Sequence, residues 1–190
     1  MNIRNIEISD ISGVMDIYLP FINGTTVTFE TEMPTPDEFA QRVINYQKFF
    51  PWIVSEENGM ITGFAYASKY RERMAYQWVC EISIYIHSES KRKGVAKKLY
   101  QTLFEILKLQ GICKVYAVIS IPNPESVGFH EKMGFTWFAT YKNVGNKFGQ
   151  WCDVGWWELE LNPPLENPLP PVNYPELDRK ELLRIFETHH

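Results

Sequence analysis

Residues 80–94 constrain the fold of this chain more than any other stretch. From Cys80 onward the sequence alternates, with Ile82, Ile84 and Ile86 on one side and Glu81, Ser83 and Tyr85 on the other. That two-residue period belongs to a β-strand with one face in a core. A polar turn, His87-Ser88-Glu89-Ser90, follows, and Lys91-Arg92-Lys93-Gly94-Val95-Ala96-Lys97-Lys98 opens a helix. In that helix Val95, Leu99, Leu103, Ile106 and Leu107 recur at amphipathic spacing. A strand thus feeds a helix whose first turn combines a glycine, a small alanine and a cluster of cations. Free backbone N–H groups and the positive end of the helix dipole coincide there, which makes an anion site suited to phosphate. Taken alone, the same cluster reads equally well as a solvated basic turn.

Composition helps to choose between these readings. The net charge is −4, so the basic cluster is a local patch on an acidic body. Such a patch matches a small anionic ligand better than nucleic acid or an acidic membrane, and neither is expected as a partner. With 190 residues, 45% of them hydrophobic, the chain can bury one substantial core. Cys80, Cys113 and Cys152 are widely spaced and form no CxxC, which predicts neither a disulfide framework nor a zinc site, and no metal. No GxxxxGK[ST] occurs, which argues against a P-loop enzyme. The start reads as a strand and not as a signal peptide, and no run approaches the roughly 20 apolar residues of a membrane span. A cytoplasmic protein is the expectation.

The pattern predicts an edge strand through Ile3, Ile6 and Ile8, then a helix capped by Ser9-Asp10 that runs to about Tyr18 and is ended by Pro20. Residues 24–30 read as a loop or short strand. Thr35-Pro36-Asp37-Glu38 starts a second helix, and a hairpin turns at Asn58-Gly59. Residues 114–119 are nearly all apolar, as in a strand covered on both faces. Asn123 caps a short helix closed by Gly134, and residues 135–141 and 151–161 form the last two strands. The whole is α/β in class, strictly α+β: a single domain on a mixed sheet over residues 1–162. Pro163, Pro164, Pro168, Pro170, Pro171 and Pro175 then mark a Pro-rich C-terminal arm over 163–190, read as a packing arm, a dimer contact or disorder, with a short helix over 178–186. His189-His190 reads as a tag remnant and carries no argument.

Lys91-Arg92-Lys93-Gly94-Val95-Ala96 resembles the acetyl-CoA signature of the GNAT superfamily of N-acetyltransferases, Gln/Arg-x-x-Gly-x-Gly/Ala, with Lys91 departing from it at the first position. Further segments are similar to the phosphinothricin and methionine sulfoximine acetyltransferase group. They are Thr28-Phe29-Glu30, Tyr66-Ala67, residues 71–78, residues 81–86, residues 123–131 and residues 145–157. The resemblance implies the GNAT acyl-CoA N-acyltransferase fold, a mostly antiparallel sheet with a splayed parallel strand pair and flanking helices. It implies acetyl-CoA as cosubstrate, a small-molecule amine as acceptor and a homodimer.

By the same resemblance, backbone groups of Ile84, Tyr85 and Ile86 pair with the pantetheine arm. Arg92, Lys93, Gly94, Val95, Ala96 and Lys97 wrap the pyrophosphate, Asn123 hydrogen-bonds the pantetheine arm, and Ser126 is a further cofactor-binding residue. Glu81 is the expected proton acceptor, its carboxylate pKa raised by apolar neighbours in sequence. Read without the resemblance, it is an ordinary strand glutamate. His130 is a second catalytic candidate, as a base or part of the acceptor site, although a helix-face histidine is more often structural. The acceptor site is expected to draw on Phe29, Glu30, Arg71, Glu72, Arg73, Tyr76, Glu81, Ile82 and Ser83. Arginines there would read the phosphinate, sulfone or sulfoximine oxygens of an amino-acid-like acceptor. Other amines, such as polyamines, aminoglycosides or peptides, stay open, as does a nucleic-acid patch at residues 91–98.

Overall fold

The alternating segment becomes β4 (Val79–Ile86), the central strand of a seven-stranded sheet in a computed structural model that describes residues 1–189. His190, one of the terminal pair set aside above, lies outside the described residues. The sheet runs β1-β2-β3-β4-β5-β7-β6, with β1 (Asn2–Asn5), β2 (Trp52–Glu57), β3 (Met60–Lys69), β5 (Lys114–Ile121), β6 (Thr136–Lys147) and β7 (Gln150–Glu160). Neighbours pair antiparallel except β4 and β5, which run parallel. A parallel pair needs a crossover, and α3 (Val95–Gln110) supplies it.

Two cores flank the sheet. On one face Val95, Leu99, Leu103, Ile106 and Leu107 of α3 are buried against Ala65, Ala67, Cys80, Ile82, Val115 and Ala117. Each aliphatic chain removed from water there is worth about 1.5–3 kcal/mol. On the other face α1 (Ile11–Gly24) and α2 (Pro36–Gln47) cover Trp52, Val54, Phe64 and Tyr85. Tyr85 is therefore buried too, and the expectation of a single covered face for β4 fails at its C-terminal end. Glu81 and Ser83, nearer the start, stay half-buried.

Three other expectations need correction. Pro20 does not end α1, which continues to Gly24. The ring forfeits the bond to the carbonyl of Asp16, but both residues lie on the exposed side, where water can serve that carbonyl. The second helix starts as expected, with Thr35 and Glu38 forming a reciprocal capping box. β5 is fully covered on one face only: Val115, Ala117 and Ile119 enter the core, whereas on the opposite face Val118 is 37% exposed and Tyr116 half-buried, with Ser120 alone buried. β6 also runs past Tyr141 to Lys147, so the β6–β7 hairpin turns at Phe148-Gly149.

α4 (Pro124–Lys132) sits beyond β5, with the Asn123 side chain accepting from the Ser126 N–H at its start. The C-terminal arm lies along the body. The Trp78 Nε1–H donates to the Leu169 carbonyl, Val172 exchanges backbone and side-chain bonds with Gln110, and Tyr174 is buried. Asp178 caps α5 (Arg179–Thr188), whose Leu182, Ile185 and Phe186 pack on the α3 core.

Candidate active site

β4 and β5 pair only from Val79 opposite Lys114 to Ile82 opposite Ala117. β4 continues to Ile86 and β5 to Ile121, so the two strands part beyond Ile82. Main-chain groups along residues 83–86 that would face β5 in a continuous sheet face a gap instead, and exposed strand edges of this kind accept an extended ligand as an added strand. A narrow slot of about 60 Å³ occupies the split, lined by Ile82, Ser83, Val118 and Ser120 and closed at its back by Tyr100 and His130. It continues into a cleft of about 980 Å³.

That cleft gathers the residues that the sequence assigned to cofactor binding. Ile84, Tyr85 and Ile86 contribute from β4, and Arg92, Gly94, Val95, Ala96 and Lys97 from the turn and first turn of α3. Asn123 and Ser126 contribute from α4. Lys93 is not among the lining residues. The cations do not open the helix, as the sequence suggested; α3 begins at Val95, and residues 91–94 form the turn before it. Arg92 (φ 62°) and Gly94 (φ 84°) both adopt left-handed backbone there, which L side chains resist by about 1 kcal/mol or more. The turn folds the chain back so that the first N–H groups of α3, unpaired within the helix, face the cleft beside the cations. Lys91 also lines the cleft and meets Glu125 of α4 at 3.4 Å.

Glu81 stands one residue before the last paired position of β4 and lines neither the slot nor the cleft. Its register partners are Ser68 on β3 and Tyr116 on β5. The Tyr116 ring packs on Tyr70 at 4.9 Å and Trp156 at 6.2 Å, and Tyr70 in turn meets Tyr76 at 5.7 Å. These rings form an aromatic surface beside the carboxylate. Burial pushes the Glu81 pKa up, and the charge of Arg71 only partly opposes the rise. A half-buried carboxylate of raised pKa can both accept a proton and hold it.

His130 is buried, at 4% exposure. Its Nδ1 lies 2.8 Å from the Ser126 carbonyl, an oxygen that can only accept, so Nδ1 carries the proton. The bare Nε2 then accepts from the Tyr100 hydroxyl at 2.9 Å. Burial lowers its pKa against the opposing Ser126 bond, which favours the neutral ring. Both nitrogens are thus engaged within the fold, at the back of the slot.

The expected acceptor residues do not all converge. Ile82 and Ser83 line the slot, and Tyr76 joins the aromatic group next to Glu81. Phe29 and Glu30 lie in the loop after α1, where Phe29 packs against Gly145 of β6 and Glu30 pairs with Arg42. Arg71, Glu72 and Arg73 line a separate cavity of about 150 Å³ with Phe49, Gln110 and Val172, beneath the C-terminal arm. The Arg71 guanidinium lies 4.4 Å from the Tyr70 ring centre, and only its charge reaches Glu81. Sequence reasoning missed Phe21, Thr25 and Val27, which form the cleft wall facing the β4 segment. Nothing in their local pattern marks them, because α1 is brought there by tertiary packing. Tyr100 carried a readable signal: a hydroxyl on the buried side of α3 needs a buried partner.

Comparison with known proteins agrees with this geometry. The family model for the acetyltransferase (GNAT) domain matches residues 3–156. A phosphinothricin N-acetyltransferase of Streptomyces viridochromogenes is 37% identical over 171 residues, 90% of this chain and 91% of that protein. An L-methionine sulfoximine/L-methionine sulfone acetyltransferase of Pseudomonas paraeruginosa is 29% identical, covering 85% of this chain and 95% of that protein. Among solved structures, a GNAT superfamily phosphinothricin acetyltransferase from Sinorhizobium meliloti in complex with AcCoA superposes with a TM-score of 0.82 at 29% identity, over 90% of this chain and 97% of that one.

Proposed function

The chain belongs to the GNAT family of acetyltransferases, and we propose that the primary amine it acetylates is carried by a small amino-acid-like molecule of the phosphinothricin, methionine sulfoximine or methionine sulfone type. The activity itself is acetyl-CoA-dependent N-acetyl transfer. The observation that carries the reading is the split after Ile82 and Ala117, which begins one residue past Glu81 and opens into the cleft lined by the cation-bearing turn.

The cleft suits the cosubstrate. The turn before α3 offers Arg92 and the helix's first turn offers N–H groups and Lys97 to a pyrophosphate, and the unpaired edge of β4 offers main-chain groups to an amide-bearing arm. Glu81 takes a proton from the incoming ammonium, directly or through water, and frees its lone pair. The amine nitrogen forms a C–N bond at the acetyl carbon, the C–S bond breaks, and the departing thiolate takes up, directly or through water, the proton that the nitrogen sheds as it becomes an amide. A β4 N–H facing the gap stabilises the oxygen as it gains charge. His130 orients the back of the slot with Tyr100, and Ser126 and Asn123 frame the cofactor arm.

The names of the relatives support the acceptor class, and so does the aromatic wall of Tyr70, Tyr76 and Tyr116, which gives a compact acceptor an apolar seat. Arg71 acts on the site through its charge at Glu81, and Phe29, Glu30, Glu72 and Arg73 act on the acceptor indirectly, through the loops that carry them. Two copies pair through the hairpin that exposes Trp137, Phe138, Tyr141, Phe148 and Trp151. The reaction runs in the cytoplasm, where acetyl-CoA is made. Thiol release from acetyl-CoA, measured across methionine sulfoximine, methionine sulfone, phosphinothricin, polyamines and peptides, tests the assignment. Turnover of the first three above the rest is expected; preference for a polyamine or peptide would overturn it.

A further inference from the structure

Lys147 ends β6 beside the hairpin turn, yet it is only 2% exposed. An ammonium buried to that degree must find acceptors for its N–H groups. Its Nζ donates to the Thr28 carbonyl at 2.8 Å and to the Phe21 carbonyl at 3.4 Å, and it lies 5.0 Å from the Phe148 ring centre. Phe21 belongs to the last turn of α1, where carbonyls have no partner within the helix and the dipole end is negative. The Thr25 hydroxyl donates to the same carbonyl at 2.8 Å. A cation from the far hairpin therefore caps α1 and holds the loop that follows.

Two further contacts fix the same joint. Phe29 lies so close on Gly145 that a Cβ there would stand 2.3 Å from the ring. Below, the Tyr18 and Thr28 hydroxyls are 2.7 Å apart. Residues 25–30 are thus gripped between α1 and the β6–β7 hairpin. The same residues carry Thr25 and Val27 of the cofactor cleft, followed by Phe29 and Glu30.

We propose that Lys147 is a positioning residue for acetyl transfer: its ammonium clasps residues 25–30 to the hairpin and so sets the width of the cleft where the two substrates meet. The effect on the acceptor rests on the function proposed above; the effect on the acetyl-CoA wall does not. Lys147→Met keeps the length of the stem and removes the donors, leaving the Thr28 carbonyl without its bond to the hairpin and the Phe21 carbonyl with the Thr25 hydroxyl alone. Gly145→Ala strains the same joint independently by displacing Phe29. Lys147→Arg keeps the charge and donor capacity and serves as the conservative control.

Amide hydrogen exchange on the full chain, followed by mass spectrometry, reads the clasp directly. Lys147→Met and Gly145→Ala should each speed exchange in residues 25–30 about tenfold or more, with β3 and β5 unchanged, and Lys147→Arg should restore part of the protection. The KM for acetyl-CoA should rise about fivefold in Lys147→Met with kcat within twofold of wild type. Unchanged exchange in 25–30 would overturn the proposal, and so would uniform acceleration of the whole chain, which marks an ordinary stabilising residue. Should Lys147→Met fail to fold, Gly145→Ala and Lys147→Arg decide by the same comparison. A wrong acceptor class would leave the exchange and acetyl-CoA results intact, so the two failures are distinguishable.

Discussion

Gly94→Ala separates the two jobs of the turn before α3, its part in the fold and its part in holding an anion. Gly94 sits at φ 84°, ψ −3°, and a Cβ built there meets no atom within 4 Å. The fold therefore pays no steric penalty, only the left-handed backbone cost of an L residue, about 1 kcal/mol. For a chain of this size that lowers Tm by about 2–4 °C. The second effect is on binding, because Gly94 lines the cleft at the first N–H groups of α3. A methyl group there holds an incoming phosphate away from those donors. Loss of one charge-assisted hydrogen bond is worth about 1.5–3 kcal/mol, or roughly ten- to hundredfold in affinity. Thermal melts and thiol-release kinetics with varied acetyl-CoA measure both effects on one preparation. The expected result is the small Tm loss with a KM for acetyl-CoA raised at least tenfold and kcat near wild type, since Glu81 is untouched. A lowered Tm with an unchanged KM would refute the reasoning, leaving the turn a device of the fold alone.

Glu81→Gln should lower kcat by about a hundredfold or more while the circular dichroism spectrum stays unchanged. Because burial raises the Glu81 pKa, the acid limb of kcat/KM should lie above the ordinary carboxylate range, and Arg71→Ala, which removes the opposing charge, should move it higher still. The Asp10 carboxylate resists burial, which would raise its pKa; bonds from Arg4 and the Glu7 N–H hold it below the usual value. Since the folded pKa is the lower one, this stabilisation is full above the unfolded value and fades as pH falls through the folded one. Asp10→Asn should therefore cost roughly 2 kcal/mol near neutral pH and progressively less in acid, by urea unfolding at several pH values. Leu103, fully buried in α3, should cost about 3 kcal/mol when cut to alanine, without altering KM.

The parts of this fold legible in sequence are those set by local chemistry. The apolar stripe of α3, the Thr35–Glu38 capping box, the Asn58-Gly59 hairpin and the Asn123 cap all depend on neighbours within a few residues, and each appears where its pattern puts it. Pro20 misled because its cost depends on whether the bereft carbonyl faces water, which the sequence does not display. Tyr85 and Val118 were assigned to the wrong environments for a related reason: which sheet faces are covered is decided by α1 and α2, far away in the chain. The site divides in the same way. The turn at 91–94 and the strand before it are contiguous, so their shared cleft follows from order alone. Phe21, Val27 and Lys147 enter only through packing between distant segments, and the arginines at 71 and 73 face a cavity that exists because the C-terminal arm folds back over them.

The central claim is that acetyl-CoA lies along the unpaired edge of β4 with its phosphates on the turn before α3. Backbone amide spectra of isotope-labelled protein titrated with acetyl-CoA test it most directly. The largest shifts should fall at residues 84–86 and 94–97, while β1 and β2 stay in place. Saturable binding that leaves those two segments unmoved would contradict the account.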